Sequence, residues 1–117
     1  MGKIKRTKTA NVKQILANTE LFYSIGAQVS GTGLIKAGTP VGGATSVLED
    51  SKAVLTVVSD DTVQGVLLHD VDPTVDTNAT LLIFGFVNEY RLDSEVVIPD
   101  AVKEALAGKV TFMKRNK

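Results

Sequence analysis

Cysteine and tryptophan are absent from this 117-residue chain, and only six residues are aromatic, four Phe and two Tyr. Without cysteine there is no disulfide framework, no thiol nucleophile and no cysteine-based zinc site. With so few rings, the core has to be aliphatic. No apolar run approaches the ~20 residues that a membrane-spanning helix needs. The basic N-terminus is not followed by the apolar stretch of a secretion signal. The expectation is a soluble protein made in a cytoplasm, with no membrane partner. The Asn78-Ala79-Thr80 sequon reads as chance in that setting.

Net charge is also lacking: thirteen basic residues balance thirteen acids. The balance hides a polarised layout. Residues 1–20 hold five basic residues (Lys3, Lys5, Arg6, Lys8, Lys13) against Glu20 alone, a charge of +4. Residues 21–112 hold five basic residues and twelve acids, −7, and the last five add Lys114, Arg115 and Lys117 for +3. Blocks of like charge at a chain end often serve interaction. The length fits one domain, large enough to bury roughly two thirds of its unfolded surface.

Along the chain, residues 1–20 read as an extended basic N-terminal arm, with 13–18 long enough for at most one turn of helix. The domain occupies 21–117. From Leu21 onward, short apolar runs alternate with glycines. Leu21 to Ile25 and Ala27 to Val29 are strand-like, and Gly31-Thr32-Gly33 is a turn signal. Pro40 argues against a central place in a sheet for the short run around Val41, because proline cannot donate to the ladder. Ala53 to Val58 and Val63 to His69 are β-branched strands, and Gly65 marks a bulge or a close backbone approach. Ala79 to Asn88 is the longest and most apolar run, which suggests burial on both faces. Asp100 to Ala107 reads as the one helix, with Pro99 at its start and Gly108 just past its end. Lys109 to Met113 alternates as a last strand. The pattern predicts a mainly β fold with one short C-terminal helix, a small barrel or sandwich.

Each constellation that invites chemistry has a plainer reading. Gly31-Thr32-Gly33 and Gly42-Gly43 lack the Lys-Ser/Thr of a phosphate loop and do not lead from strand to helix; they are turns. Asp70, Asp72, Asp76 and Asn78 offer oxygens for calcium, but the central Gly and terminal Glu of an EF-hand are missing. The plainer account is a solvated turn whose Asp side chains bond their own backbone. His69, the only histidine, has no nucleophile elbow to serve and belongs at a strand end. Glu49-Asp50 and Asp60-Asp61 are acid pairs in solvated turns. The basic ends could contact phosphates, yet no aromatics interleave them as in single-strand binders, and the acidic body repels a polyanion. The residues suggest no enzyme, no cofactor, no metal and no direct nucleic-acid partner.

A series of phrases in order does carry a resemblance. Ile35-Lys36-Ala37-Gly38-Thr39-Pro40-Val41-Gly42 is followed by Val63-Gln64-Gly65-Val66-Leu67-Leu68, then by Thr80-Leu81-Leu82-Ile83-Phe84-Gly85-Phe86-Val87. Glu95-Val96-Val97-Ile98-Pro99-Asp100 and Ala101–Phe112 close the series. Over residues 21–113 this resembles the lambda-type head-stabilising (decoration) proteins of tailed phages and related head fibre proteins. The resemblance implies a β-tulip-like domain, a homotrimer, and a place on the outer capsid surface of the virion, clamping subunits of the major capsid protein. It further implies an N-terminal arm that reaches along the shell and pairs with capsid strands. Carried onto this chain, the capsid-binding arm residues are Lys3, Ile4, Lys5, Arg6, Thr7, Lys8, Thr9, Val12, Ile15 and Leu16. Its only sizeable apolar anchors are Ile4, Val12, Ile15 and Leu16. The alternative is a head-fibre or tail-associated module binding a receptor or glycan, which an exposed aromatic platform would favour.

Overall fold

The computed structural model describes residues 14–114. The elements are β1 (Tyr23–Val29), β2 (Pro40–Gly42), β3 (Val54–Val57), β4 (Val63–Leu67), β5 (Asn78–Asn88), a 3-10 turn (Glu89–Arg91), α1 (Asp100–Ala105) and β6 (Val110–Met113). The strands run in the order β1-β3-β2-β4-β5, and β5 returns to β1, so five strands close a barrel. The mainly β class, the barrel and the short helix near the C-terminus are as the sequence pattern leads one to expect.

The eleven-residue β5 does two jobs. Its first half pairs antiparallel with β1, from Gln28↔Asn78 to Tyr23↔Phe84, and with β4 at Val66↔Leu82 and Leu67↔Leu81. Its second half leaves the barrel and takes β6 alongside in parallel, from Gly85↔Val110 to Asn88↔Met113. Parallel neighbours need a crossover. The 3-10 turn, the following loop and α1 supply it. Gly108 ends this helix region with φ +81°, a conformation that glycine adopts without a Cβ penalty.

Side chains alternate across a strand, and here both faces of β4 and β5 are covered. One core fills the barrel: Ala27, Val29, Val41, Val47, Leu55, Leu67 and Leu81, with Ile35 and Val71. The other lies outside β4 and β5: Val63, Val66, Leu68, Leu82, Val87 and Val110, capped by Val102 and Leu106 of the helix region and by Ile15 and Leu16. Neighbours in sequence therefore serve different cores, Val66 with Leu82 and Leu67 with Leu81. Each fully buried Leu or Val contributes about 1.5–3 kcal/mol. The double burial expected for residues 79–88 holds at Leu81, Leu82, Val87 and Asn88, but Phe84 is exposed.

Two expectations need correction. Pro40 lies in an inner strand, since β2 sits between β3 and β4. It is tolerated there as the first residue of the strand, where its carbonyl still accepts from Val58 N–H at 3.2 Å. The boundary at residue 20 also moves. Leu16 bridges Val87 in antiparallel fashion, Asn88 N–H donates to Ile15 O at 2.8 Å, and Ala17 N–H donates to Phe86 O at 2.8 Å. This stretch is extended, not a helical turn, and Ile15 and Leu16 are buried core residues.

Gly65 marks a close approach: a Cβ there would lie 2.4 Å from Leu82 O. The register shift in this part of the sheet falls instead between Val41 and Gly42 of β2.

Candidate interaction surface

Burial puts aliphatic side chains inside and leaves the rings outside. Phe22, Tyr23, Phe84 and Tyr90 are exposed, Phe86 and Phe112 half-buried. Four of these rings lie on one stretch of the β1–β5 pair. Tyr23, 60% exposed, is the register partner of Phe84, 40% exposed. A Cβ at Gly85 would lie 3.1 Å from Phe22 Cβ, so Phe22 packs against the same stretch of β5. Phe86 meets Phe84 edge-on, with ring centroids 6.4 Å apart, inside the range where such pairs add about 0.5–1.5 kcal/mol.

Beside Phe84 lies a cleft of about 330 Å³ lined by Ser46, Val47, Leu48, Gln64, Ile83, Phe84 and Lys109. Leu48 stands at its rim, 70% exposed. Gln64 builds this wall. Its Oε1 accepts from Val47 N–H at 2.8 Å, and its Nε2 donates to Thr45 O at 2.7 Å and Gly43 O at 3.3 Å. One amide in an apolar strand thus pins the loop between β2 and β3, burying Val47 and leaving Leu48 outside. Tyr23, Phe84 and Leu48, linked by the β1–β5 register and the shared cleft, form an exposed apolar surface, the kind that marks contact with another macromolecule.

A second apolar surface uses different residues. Leu34 and Val57 line a shallow cleft with the Gly31–Gly33 turn, and Val57 and Val97 line another with Pro40 and Pro99. All three are more than half exposed.

The sequence-derived arm residues are not brought together as a group. Lys3, Ile4, Lys5, Arg6, Thr7, Lys8, Thr9 and Val12 lie outside the described residues. Ile15 and Leu16 are spent on this chain's own core, so in this conformation they are not available as anchors for a partner. Arg91 Nη1 donates to Leu16 O at 3.2 Å and holds the segment in place.

The other candidates take their plainer roles. His69 is exposed just past β4. Asp70 Oδ1 accepts from Ala37 N–H at 2.7 Å, tying two loops. Asp72 accepts from Thr74 N–H and Asp76 from Asn78 N–H, each closing its own turn. Asp50 does the same for Lys52 N–H. At Asp60, the Thr62 hydroxyl and then the Thr62 N–H donate to the carboxylate and hold its pKa below the ordinary value. Hydrogen bonds to the charged form of an acid act in that direction.

The aromatic surface was not read from the sequence. A signal for it exists in hindsight: four of the six rings fall in two short stretches, Phe22-Tyr23 and Phe84-Gly85-Phe86. That these stretches face each other is a property of the β1–β5 register. No protein-family model matches the sequence, and comparison with curated proteins finds no match.

Proposed function

We propose that the protein is a non-enzymatic capsid decoration protein, which binds the outside of an assembled phage head as a homotrimer and cements it. The observation that carries this reading is the exposed apolar surface of Tyr23, Leu48 and Phe84 on a small closed barrel. Apolar and aromatic side chains of this kind form the centre of protein–protein contacts. The ordered phrases resembling lambda-type decoration proteins point the same way, and so does the basic segment ahead of the barrel.

A ring of three identical chains needs two dissimilar faces, because its contacts are heterologous. The Leu34–Val57–Val97 surface offers one of them and leaves the aromatic surface free for the shell. Stabilisation of the head follows from mass action, since a ligand that binds the assembled shell and not its loose subunits favours the shell. The partner is the major capsid protein, engaged in part by residues 1–13.

The test is deletion of residues 2–12 followed by measurement of occupancy on expanded heads. Reduced occupancy is expected; undiminished occupancy removes the arm from the account. The exposed rings also favour a second reading, a head-fibre module that stacks sugars on Tyr23 and Phe84. Loss of glycan binding in a Tyr23→Ala variant is expected under it; no glycan binding by the unaltered protein would remove it.

A further inference from the structure

The cleft beside Phe84 sits over one end of the barrel. Val47 belongs to the barrel core and Ile83 packs against it, and both line the cleft, so its floor is the end of that core. Barrel mouths are recurrent binding places, and about 330 Å³ lies at the lower end of the usual range for ligand clefts. The walls are held before any partner arrives. Gln64 pins the loop through Val47, Thr45 and Gly43, and within the loop Glu49 N–H and Asp50 N–H donate to Ser46 O at 3.1 and 3.0 Å. On the far side, Gly85 N–H donates to Lys109 O at 3.0 Å, which sets Lys109 beside Phe84. A site fixed in this way loses little conformational entropy on binding.

The polar groups around the cleft decide what it takes. Gln64 Nε2 donates to two carbonyls and Oε1 accepts from Val47 N–H, so this amide is spent on the loop. Ser46 Oγ accepts from Leu48 N–H at 3.2 Å, which leaves its O–H as a donor. Lys109 is exposed and forms no salt bridge among the described residues. The loop's two acids, Glu49 and Asp50, do not line the cleft, and Asp50 is bonded to Lys52 N–H. Two donors therefore remain, one of them cationic, at the edge of a pocket walled by Val47, Leu48, Ile83 and Phe84. A hydroxyl and an ammonium group are matched by a carboxylate, and the walls by an apolar side chain. The surroundings set the size of the occupant. Leu48 at the rim is 70% exposed, and Tyr23 carries the apolar surface on past Phe84. A small free acid in the cleft would leave both in water, whereas a polypeptide segment covers them.

We propose that this cleft is the anchor point for a partner polypeptide, taking one large apolar side chain into the pocket and an adjacent carboxylate onto Lys109 and Ser46. The proposal rests on the reading that this surface meets another protein, and it adds the chemistry of the segment that is met.

The experiment titrates the full-length, isotope-labelled protein with a capped hexapeptide carrying Leu-Asp at its centre, and with counterparts carrying Ala-Asp, Leu-Asn or Leu-Lys, following backbone amides. The Leu-Asp peptide is expected to shift the amides of Leu48, Phe84 and Lys109. The Ala-Asp peptide should bind about tenfold more weakly and the Leu-Asn peptide about fivefold more weakly. Lys109→Glu changes an exposed side chain, so it should fold, and it should reverse the order so that Leu-Lys binds better than Leu-Asp. Lys109→Gln should bring Leu-Asp and Leu-Asn close to equal. No shift at the cleft, equal binding of Leu-Asp and Leu-Asn by the unaltered protein, or an order unmoved in Lys109→Glu would overturn the proposal. Octanoate bound there where no peptide binds would replace the segment with a free acid. Head occupancy by the unaltered protein, measured alongside, separates the two readings. Occupied heads with no peptide at the cleft overturn the anchor alone; peptide binding without head occupancy supports the anchor and removes the decoration reading.

Discussion

The barrel interior and the layer outside it share β4 and β5, yet they are assembled from different kinds of sequence information. The barrel core draws on short strands whose inward residues alternate: Ala27 with Val29, Leu55 between exposed Val54 and Thr56, Leu67 and Leu81. The outer core joins Ile15 and Leu16 to Val87, Val102, Leu106 and Val110, positions spread over almost the whole chain. The barrel is a closed sheet whose interior is filled by its own strands, with Ile35, Val47 and Val71 added from the connections between them. The outer layer exists only because a segment ahead of β1 and a crossover after β5 both fold back onto one face. Its formation closes the longest loops in the chain, so it carries the larger entropic cost of association.

The most damaging single change should strike the wall between the two. At Gly65, a Cβ would meet the Leu82 carbonyl at 2.4 Å and the Leu81 side chain at 3.0 Å. The first of these is backbone, which yields only if β4 and β5 separate. Gly65→Ala is expected to cost about 4 kcal/mol or more, in the exceptional class of substitutions, measured by chemical denaturation. A loss below about 1 kcal/mol would mean that the two strands slide past each other freely.

Next in size are matched truncations, one in each core. Leu55→Ala and Ile15→Ala each remove a side chain with no exposure, and each should cost about 2–5 kcal/mol. The comparison sharpens at Ile15. If this residue belonged to a free arm, as the basic segment around it suggests, the change would stay within about 0.5 kcal/mol. A large loss ties residues 15–16 to the outer core.

That contrast also measures what the sequence makes legible. The barrel strands, the helix start at Pro99, the glycine past its end and the close approach at Gly65 all follow from local pattern. The arm boundary did not. Ile15 and Leu16 sit in a polar, basic stretch with no periodicity of their own, and their burial depends on β5 being long enough to leave the barrel. Pro40 misleads for a similar reason. Its missing N–H matters only if the ladder needs that donor, and the start of β2 does not. The aromatic surface depends on the β1–β5 register, which no local rule supplies. For the proposed function, the ordered phrases were visible in the sequence, whereas the surface that supports it came from the fold.

The third change leaves both cores intact. Phe84 and Tyr23 sit on the barrel's outside, so Phe84→Ser and Tyr23→Ser should shift stability by no more than about 0.5–1 kcal/mol. Under the decoration reading, the pair together should reduce binding to heads at least about tenfold, because central aromatic contacts carry much of an interface's energy. Occupancy measured at limiting protein concentration reads this directly. Unchanged occupancy would assign the aromatic surface to something other than the shell.

The smallest effect belongs to neither core and marks the baseline against which the others are read. Asp60 is fully exposed, and the Thr62 hydroxyl and N–H hold its carboxyl below the ordinary value of 3.8. The folded state therefore releases this proton more readily than the unfolded chain does. The resulting stabilisation is complete above the unfolded value and fades as pH falls through the lower, folded one. Thr62→Val removes the hydroxyl, the larger of the two causes, and keeps the backbone donor. The Asp60 carboxyl should then titrate at higher pH by NMR, and the fall in stability below about pH 4 should become slightly shallower. A carboxyl that titrates unchanged in the variant would mean that solvent screens the hydroxyl's contribution, leaving the turn from Asp60 to Val63 held by its backbone alone.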